Sequence, residues 1–285
     1  MGAVPGDYRE QLKKGWEHVQ LYEFERAIPI FKKLQREFPE GSEEWIQMTF
    51  ATAVCYEHQT PPSKETVQES RRLFWLLAEK YPRHACAARA LLNVARIDEL
   101  RNYYLDRIDL ESARKLYQKV TATYPGTLEA SEAVLRLAQS YTNTFNKPDV
   151  ETGVKILEDW LRDHPKDPLA GIMSLLLGDV YFYPLAEYDK CVKAYMRADE
   201  LKSLEPGKEG YTYWRIARVA QDKLKNKDIA VKYYTKIIMD TPTFAKGYQS
   251  QLALKELGAP VPELQWGSIG GRKRTTTAPA GEVRK

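Results

Sequence analysis

The chain has 285 residues, 43% of them hydrophobic and 29% charged, with 43 Lys and Arg against 39 Asp and Glu. That mixture can build a folded core, and no run of about 18 apolar residues free of charge argues for a membrane-spanning helix. The three cysteines, Cys55, Cys86 and Cys191, lack a C-x-x-C spacing. They read as small core residues of a protein from a reducing compartment, not as a metal site or a disulfide framework.

One sixteen-residue pattern recurs and organises the elements. It reads FERAIPIFKKLQREFP at 24–39, VQESRRLFWLLAEKYP at 67–82, LESARKLYQKVTATYP at 110–125, VETGVKILEDWLRDHP at 150–165 and KDIAVKYYTKIIMDTP at 227–242, with a degenerate copy at 188–202. The fourth position is small: Ala27, Ser70, Ala113, Gly153, Cys191 and Ala230. The eighth is large: Phe31, Phe74, Tyr117, Leu157, Tyr195 and Tyr234. A small residue lets a partner helix approach closely, and the bulky residue one turn on lies on the same face and fills the gap. Five copies close on Pro39, Pro82, Pro125, Pro165 and Pro242, which cannot continue a helix. Each copy therefore reads as the second helix of a helical hairpin.

In chain order, the first hairpin pairs Tyr8–Val19 with Phe24–Glu37; Gly15 and Trp16 stand where the helices cross, and Pro29 predicts a bend or local break. The second pairs Glu43–Glu57 with the copy at 67–82, across a loop broken by Pro61 and Pro62. The third opens on an unusually long helix, Ala85–Leu105, and passes through 106–109 into the copy at 110–125. Thr127–Thr144 begins the fourth. Leu169–Phe182, with Gly178 and Tyr181 at the spacing of a close crossing, begins the fifth, and Tyr211–Leu224 the sixth. Phe244–Leu257 has no copy behind it and reads as the cap that a stack of hairpins needs over its last apolar face. The expected fold is all-α: six hairpins, about 7–39, 43–82, 84–125, 127–165, 168–203 and 209–242, then a cap at 243–257.

These columns resemble the tetratricopeptide repeat superfamily over roughly residues 7–257. The resemblance rests on the small residue at the hairpin crossing, the bulky residue four positions on, the closing Pro, and Gly178 with Tyr181. The closing prolines are 43, 43, 40 and, across two units, 77 residues apart. The family's usual unit is 34 residues, so the period is more like that of kinesin light chains and some bacterial scaffold proteins. The resemblance implies a right-handed α-solenoid that acts as a non-catalytic adaptor for a protein or peptide, without a cofactor. The bacterial kinesin-light-chain likeness implies a cytoskeletal partner such as a tubulin-like filament. The chain is also similar to helical-repeat lipoproteins of outer-membrane assembly, which implies a periplasmic protein whose leader has been removed.

In this superfamily the first helix of each hairpin lines a concave face. Alignment on Ala95, Ala138, Gly178 and Ala217 places Asn93 and Arg96, Arg136 and Gln139, Asp179, and Arg215 and Arg218 in equivalent slots, with Asn143 one turn beyond Gln139. This polar, mostly basic row suits an acidic peptide or a C-terminal carboxylate, which Arg grips in bidentate fashion. It departs from the Lys/Asn pattern of the family's carboxylate-clamp members.

Residues 258–285 read as a Pro/Gly-rich disordered tail, rich in Gly and Thr and poor in apolar residues. Arg272, Lys273, Arg274, Arg284 and Lys285 stand there against Glu282, so the rest of the chain is charge-balanced. That asymmetry suits weak contact with an acidic surface or an anionic membrane. With a neutral body, nucleic acid is disfavoured as a partner. The start, MGAVPGDYRE, lacks the succession of a secretory signal and points to the cytoplasm. His18, His58, His84 and His164 are scattered, and His84 and Cys86, two apart on an expected helix, should not face each other. With no H-E-x-x-H, P-loop or G-x-S-x-G motif, no enzyme and no metal is expected.

Overall fold

The computed structural model describes residues 7–262, and among them thirteen α-helices and no strand. The helices are α1 (Tyr8–Gln20), α2 (Phe24–Arg36), α3 (Glu43–His58), α4 (Lys64–Lys80), α5 (Ala87–Glu99), α6 (Leu110–Thr123), α7 (Leu128–Thr142), α8 (Lys147–Asp163), α9 (Ala170–Phe182), α10 (Tyr188–Glu200), α11 (Glu209–Asp222), α12 (Lys227–Asp240) and α13 (Gly247–Glu256). No helix among the described residues is long and apolar enough to cross a membrane. The basic residues Arg272, Lys273, Arg274, Arg284 and Lys285 lie outside the described residues.

The chain forms two compact units, one up to Met173 and one from Ser174, with the division inside α9. In unit 1, each of α1 to α8 packs on its neighbour in sequence, and α5 also touches α7. In unit 2, α10 packs on α11, α11 on α12 and α12 on α13. Within each unit this is the neighbour-to-neighbour packing of an α-solenoid.

The two sequence columns make the core. Ala27, Ser70, Ala113, Cys191 and Ala230 are buried, as are Phe31, Phe74, Tyr117, Leu157, Tyr195 and Tyr234. The small-residue logic is visible at two crossings. A Cβ on Gly15 would come within 2.7 Å of the Phe31 ring, and one on Gly178 within 2.6 Å of the Tyr195 ring. Ser70, the one hydroxyl in the small column, donates to the Ala53 carbonyl at 2.9 Å, so its polarity is satisfied inside the core. The closing prolines stop their helices by the steric route expected of them. Tyr81, Tyr124, His164 and Thr241, each directly before a Pro, are C-caps with φ of −126°, −124°, −128° and −130°, outside the α region. Starts are fixed by side-chain caps from Ser42, Ser63, Asp109, Thr127 and Asn226.

Three expectations are corrected. Pro29 does not break α2, which runs through it; Pro29 and Glu25, whose carbonyl loses its helical donor, both lie on the exposed side. The long helix expected over Ala85–Leu105 spans Ala87–Glu99 only, and residues 100–109 form a loop. The last helix starts at Gly247 instead of Phe244, because 241–247 closes two turns, with Phe244 N–H on Thr241 O at 2.9 Å and Gly247 N–H on Phe244 O at 3.0 Å.

Candidate functional site

The polar row of the first helices is the candidate site, and the two units build it differently. In unit 1, α5 contributes Arg89, Asn93, Arg96 and Glu99, and α7 contributes Glu129, Glu132, Arg136 and Gln139. Arg136 donates from Nε to Glu132 Oε1 at 3.0 Å and from Nη1 to Glu99 Oε2 at 3.5 Å. Arg89 bridges Glu129 at 3.1 Å and Glu132 at 2.8 Å. The Tyr117 hydroxyl, at the inner end of a core column, donates to Glu99 Oε2 at 2.5 Å. Burial, then the Glu99 hydrogen bond, push that phenol far up. From α3, Glu57 joins the cluster: burial raises its carboxyl, opposed by the charges of Arg96, His58, Arg136 and Arg89.

The row is therefore not mostly basic in unit 1. Glu57, Glu99, Glu129 and Glu132 answer Arg89, Arg96 and Arg136. Asn93 is buried and accepts from Arg96 Nη1 at 3.4 Å, while the Arg96 Nε is buried without a hydrogen-bond partner among the described residues. Gln139 is half-buried, and Asn143 is exposed at the end of α7, its N–H on the Gln139 carbonyl at 2.9 Å. Alignment to one slot per helix missed the acidic members because they sit one turn away. The i,i+4 pair Glu132–Arg136 and the i,i+3 pair Arg96–Glu99 were the available signals.

In unit 2 the row opens. Arg215 on α11 donates from Nη1 to Asp179 Oδ1 on α9 at 2.5 Å and also to the Tyr195 hydroxyl, which itself donates to Asp179 Oδ1 at 2.6 Å. Burial alone would lower the Arg215 pKa; its hydrogen bonds to Tyr195 and Asp179 and the Asp179 charge more than reverse that. Leu175, Leu204, Glu205, Lys208, Tyr211 and Thr212 join Asp179, Tyr195 and Arg215 around a cleft of about 330 Å³, where Glu205 pairs with Lys208 at 2.6 Å. Tyr211 is exposed and meets Phe244 edge-on at 4.8 Å. Arg218 pairs with Asp222 at 2.6 Å and lies 5.8 Å from the Trp214 ring centre.

Two other carboxylates are structural ties. Asp98 takes a bidentate grip from Arg71 at 2.7 and 3.0 Å and a bond from Ser112 at 2.6 Å, joining α4, α5 and α6. Asp199 holds Lys236 at 2.6 and 2.8 Å and accepts from Tyr213 and Tyr233 at 3.1 and 2.9 Å. Both are consumed by protein partners.

His84 and Cys86 do meet, against expectation. Both precede α5, so helical spacing does not apply. The Cys86 Sγ lies 3.1 Å from His84 Nδ1, which accepts the Cys86 N–H at 3.2 Å, while Nε2 reaches Glu43 Oε2 at 2.8 Å. The imidazole occupies the capping slot that Asp167 fills two repeat units later, where Asp167 Oδ1 accepts the Leu169 N–H at 2.7 Å. Burial pushes the Cys86 thiol up to about 11, the opposite of the thiolate a nucleophilic cysteine needs. Cys55 and Cys191 are likewise pushed up to about 12 by burial. Among the described residues, no group of His, Cys, Asp and Glu converges to hold a metal.

The chain matches no protein-family model, and a search of curated proteins finds no relative.

Proposed function

We propose that the chain is a non-catalytic adaptor of the tetratricopeptide-repeat kind, which holds a carboxylate-bearing segment of a protein partner along its first helices. The small and large columns and the hairpin-by-hairpin packing support that likeness. The unit 2 cleft is the principal grip. One observation carries this reading: among the described residues only Nη1 of Arg215 is engaged, which leaves Nε and Nη2 as an unused fork beside the exposed Tyr211 ring. A fork of that kind binds a carboxylate through two parallel charge-assisted bonds, and a neighbouring aromatic ring covers an apolar side chain. The three unpaired cysteines fit work in a reducing compartment such as the cytoplasm.

Fluorescence anisotropy with labelled acidic peptides, as free C-terminal carboxylates and as amides, tests the reading. Binding should favour the carboxylate, and Arg215→Ala should weaken it about tenfold or more. Equal binding of acid and amide, unaffected by Arg215→Ala, would remove the cleft from the reading. Co-sedimentation with tubulin-like filaments, which present acidic surfaces, tests the cytoskeletal version.

A further inference from the structure

Unit 1 has a second surface that the polar row does not use. Its helices pack antiparallel in sequence order, so the loops joining first to second helices gather at one edge. The first two of these loops face each other across a cleft of about 230 Å³ lined by Tyr22, Glu23, Gln59 and Thr60, among others. In the third, Tyr103 is turned onto the core.

This edge carries large apolar residues where folding has no use for them. Four hairpins place a left-handed residue directly before the second helix's N-cap: Tyr22 (φ 60°), Phe145 (φ 55°), Ala186 (φ 55°) and Lys225 (φ 54°). That conformation favours Gly or Asn, and a bulky side chain there is strained. Unit 1 nevertheless puts Tyr22 and Phe145 in the slot, 83% and 69% exposed, where unit 2 has Ala and Lys. Unit 2 does expose Tyr183, but outside that slot.

The ten-residue third loop turns the usual pattern inside out. Asn102 Nδ2 donates to the Ile97 and Leu100 carbonyls at 2.8 and 2.9 Å. Asp106 accepts the Asn102 and Arg107 N–H groups, both at 2.9 Å. With its polar groups pinned inward, the loop points Tyr104, 88% exposed, and Leu105, 77% exposed at φ 67°, into solvent. Arg101 and Arg107 flank this tip, exposed and without an ion pair among the described residues. Of the neighbouring carboxylates, Asp106 is held inside the loop, Asp109 on the α6 cap and Glu23 on His18 and Arg26, while Glu25 meets Gln59 at 3.4 Å and Glu65 stands exposed at the start of α4.

We propose that this loop edge of unit 1 is a peripheral membrane-docking edge, which seats Tyr22, Tyr104, Leu105 and Phe145 in the headgroup layer of an anionic bilayer with Arg101 and Arg107 on its phosphates. Aromatic rings with a polar tip or edge settle at the membrane–water interface, and nearby basic residues are drawn to anionic lipid. A protein partner needs a matching pocket for each knob, whereas a fluid headgroup layer accepts knobs at irregular spacing. An ordered loop with unpaired arginines around an apolar tip fits that layer.

Vesicle flotation of the full chain tests the edge. The probes are phosphatidylcholine vesicles with and without phosphatidylserine, at low and high salt. The key variant combines Tyr22→Asn, Leu105→Asn and Phe145→Asn; Asn suits the left-handed slots, so circular dichroism and thermal melting should show an intact fold. The wild type should float with anionic vesicles, less so in salt, and the triple variant should bind about tenfold less or weaker still. A second variant, Arg101→Gln with Arg107→Gln, touches no core and should lose most of the preference for phosphatidylserine. Undiminished flotation of both variants would assign the binding to another part of the chain and overturn the proposal. So would a wild type that never floats, including one whose dimer the triple variant dissolves, since the edge would then be a contact between copies.

Discussion

Glu99, Tyr117 and Arg136 in unit 1 and Asp179, Tyr195 and Arg215 in unit 2 are two versions of one arrangement. In each, a carboxylate on a hairpin's first helix receives a tyrosine hydroxyl from the second helix and an arginine from the next hairpin. The tyrosine is a core residue whose one polar atom emerges at the inner polar row, so a packing column and a surface row are tied by a single side chain. The settings differ. The side chains of Arg136 and Glu99 are 26% and 13% exposed, against 44% and 59% for Arg215 and Asp179. Surrounded by Glu57, Glu129 and Glu132, the first version is a closed, charge-compensated joint. The second stands at an open cleft with part of its guanidinium unused. The same three groups serve stability where they are enclosed and become available for recognition where they are not.

Removing the carboxylate should separate the two most sharply. Glu99→Ala leaves the buried Tyr117 hydroxyl without its acceptor and should lower unfolding free energy by about 3 kcal/mol. Asp179→Ala, at an exposed pair, should lower it by less than about 1 kcal/mol. Urea denaturation of both variants compares them directly, and equal losses would erase the distinction drawn here.

A smaller effect probes the packing beneath the open version. Gly178→Ala drives a methyl against the Tyr195 ring and should destabilise by about 2 kcal/mol, with the ring displaced from Asp179. Because that ring carries the hydroxyl shared with Arg215, peptide binding at the cleft should weaken as well. A variant that melts like the wild type would mean that the crossing has room to spare.

The smallest effect is a pH dependence confined to the closed version. Burial raises the Glu57 carboxyl, so the folded state holds its proton more tightly than the unfolded chain does. Its contribution is fully present below the ordinary glutamate range and is lost as pH rises through the folded value. Glu57→Gln should flatten that fall in thermal melts between mildly acidic and neutral pH. The largest gain over the wild type should come at neutral pH, and a gain on the acidic side would reverse the sign argued here.

Much of the scaffold could be read from the residues, because its causes are local. A small residue, a bulky residue four positions on and a Pro at the end act within one helix, and the buried columns and pre-proline caps follow from them. The row was legible only in part. Arg96, Arg136, Asp179 and Arg215 were found by register, yet their charge state depends on acidic side chains from other helices that no single register contains. The cap at His84 escaped because its geometry exists only where the helix has not begun. The loop at 100–109 escaped because its polar residues, Asn102 and Asp106, bond within the loop, and no periodicity announces that.

The neighbour-to-neighbour packing of α1 to α8 also fixes how unit 1 bears a mechanical load. A pull on its ends passes through every helix interface in series, with no long-range strand ladder to share it, so the weakest junction yields while the others stay shut. Each hairpin of roughly 40 residues, once released and drawn out, adds about 140 Å of contour length. The bidentate Arg71–Asp98 tie and its Ser112 bond rivet α4, α5 and α6 together against such a pull. Under tension such a unit would lengthen in steps, as an extensible tether.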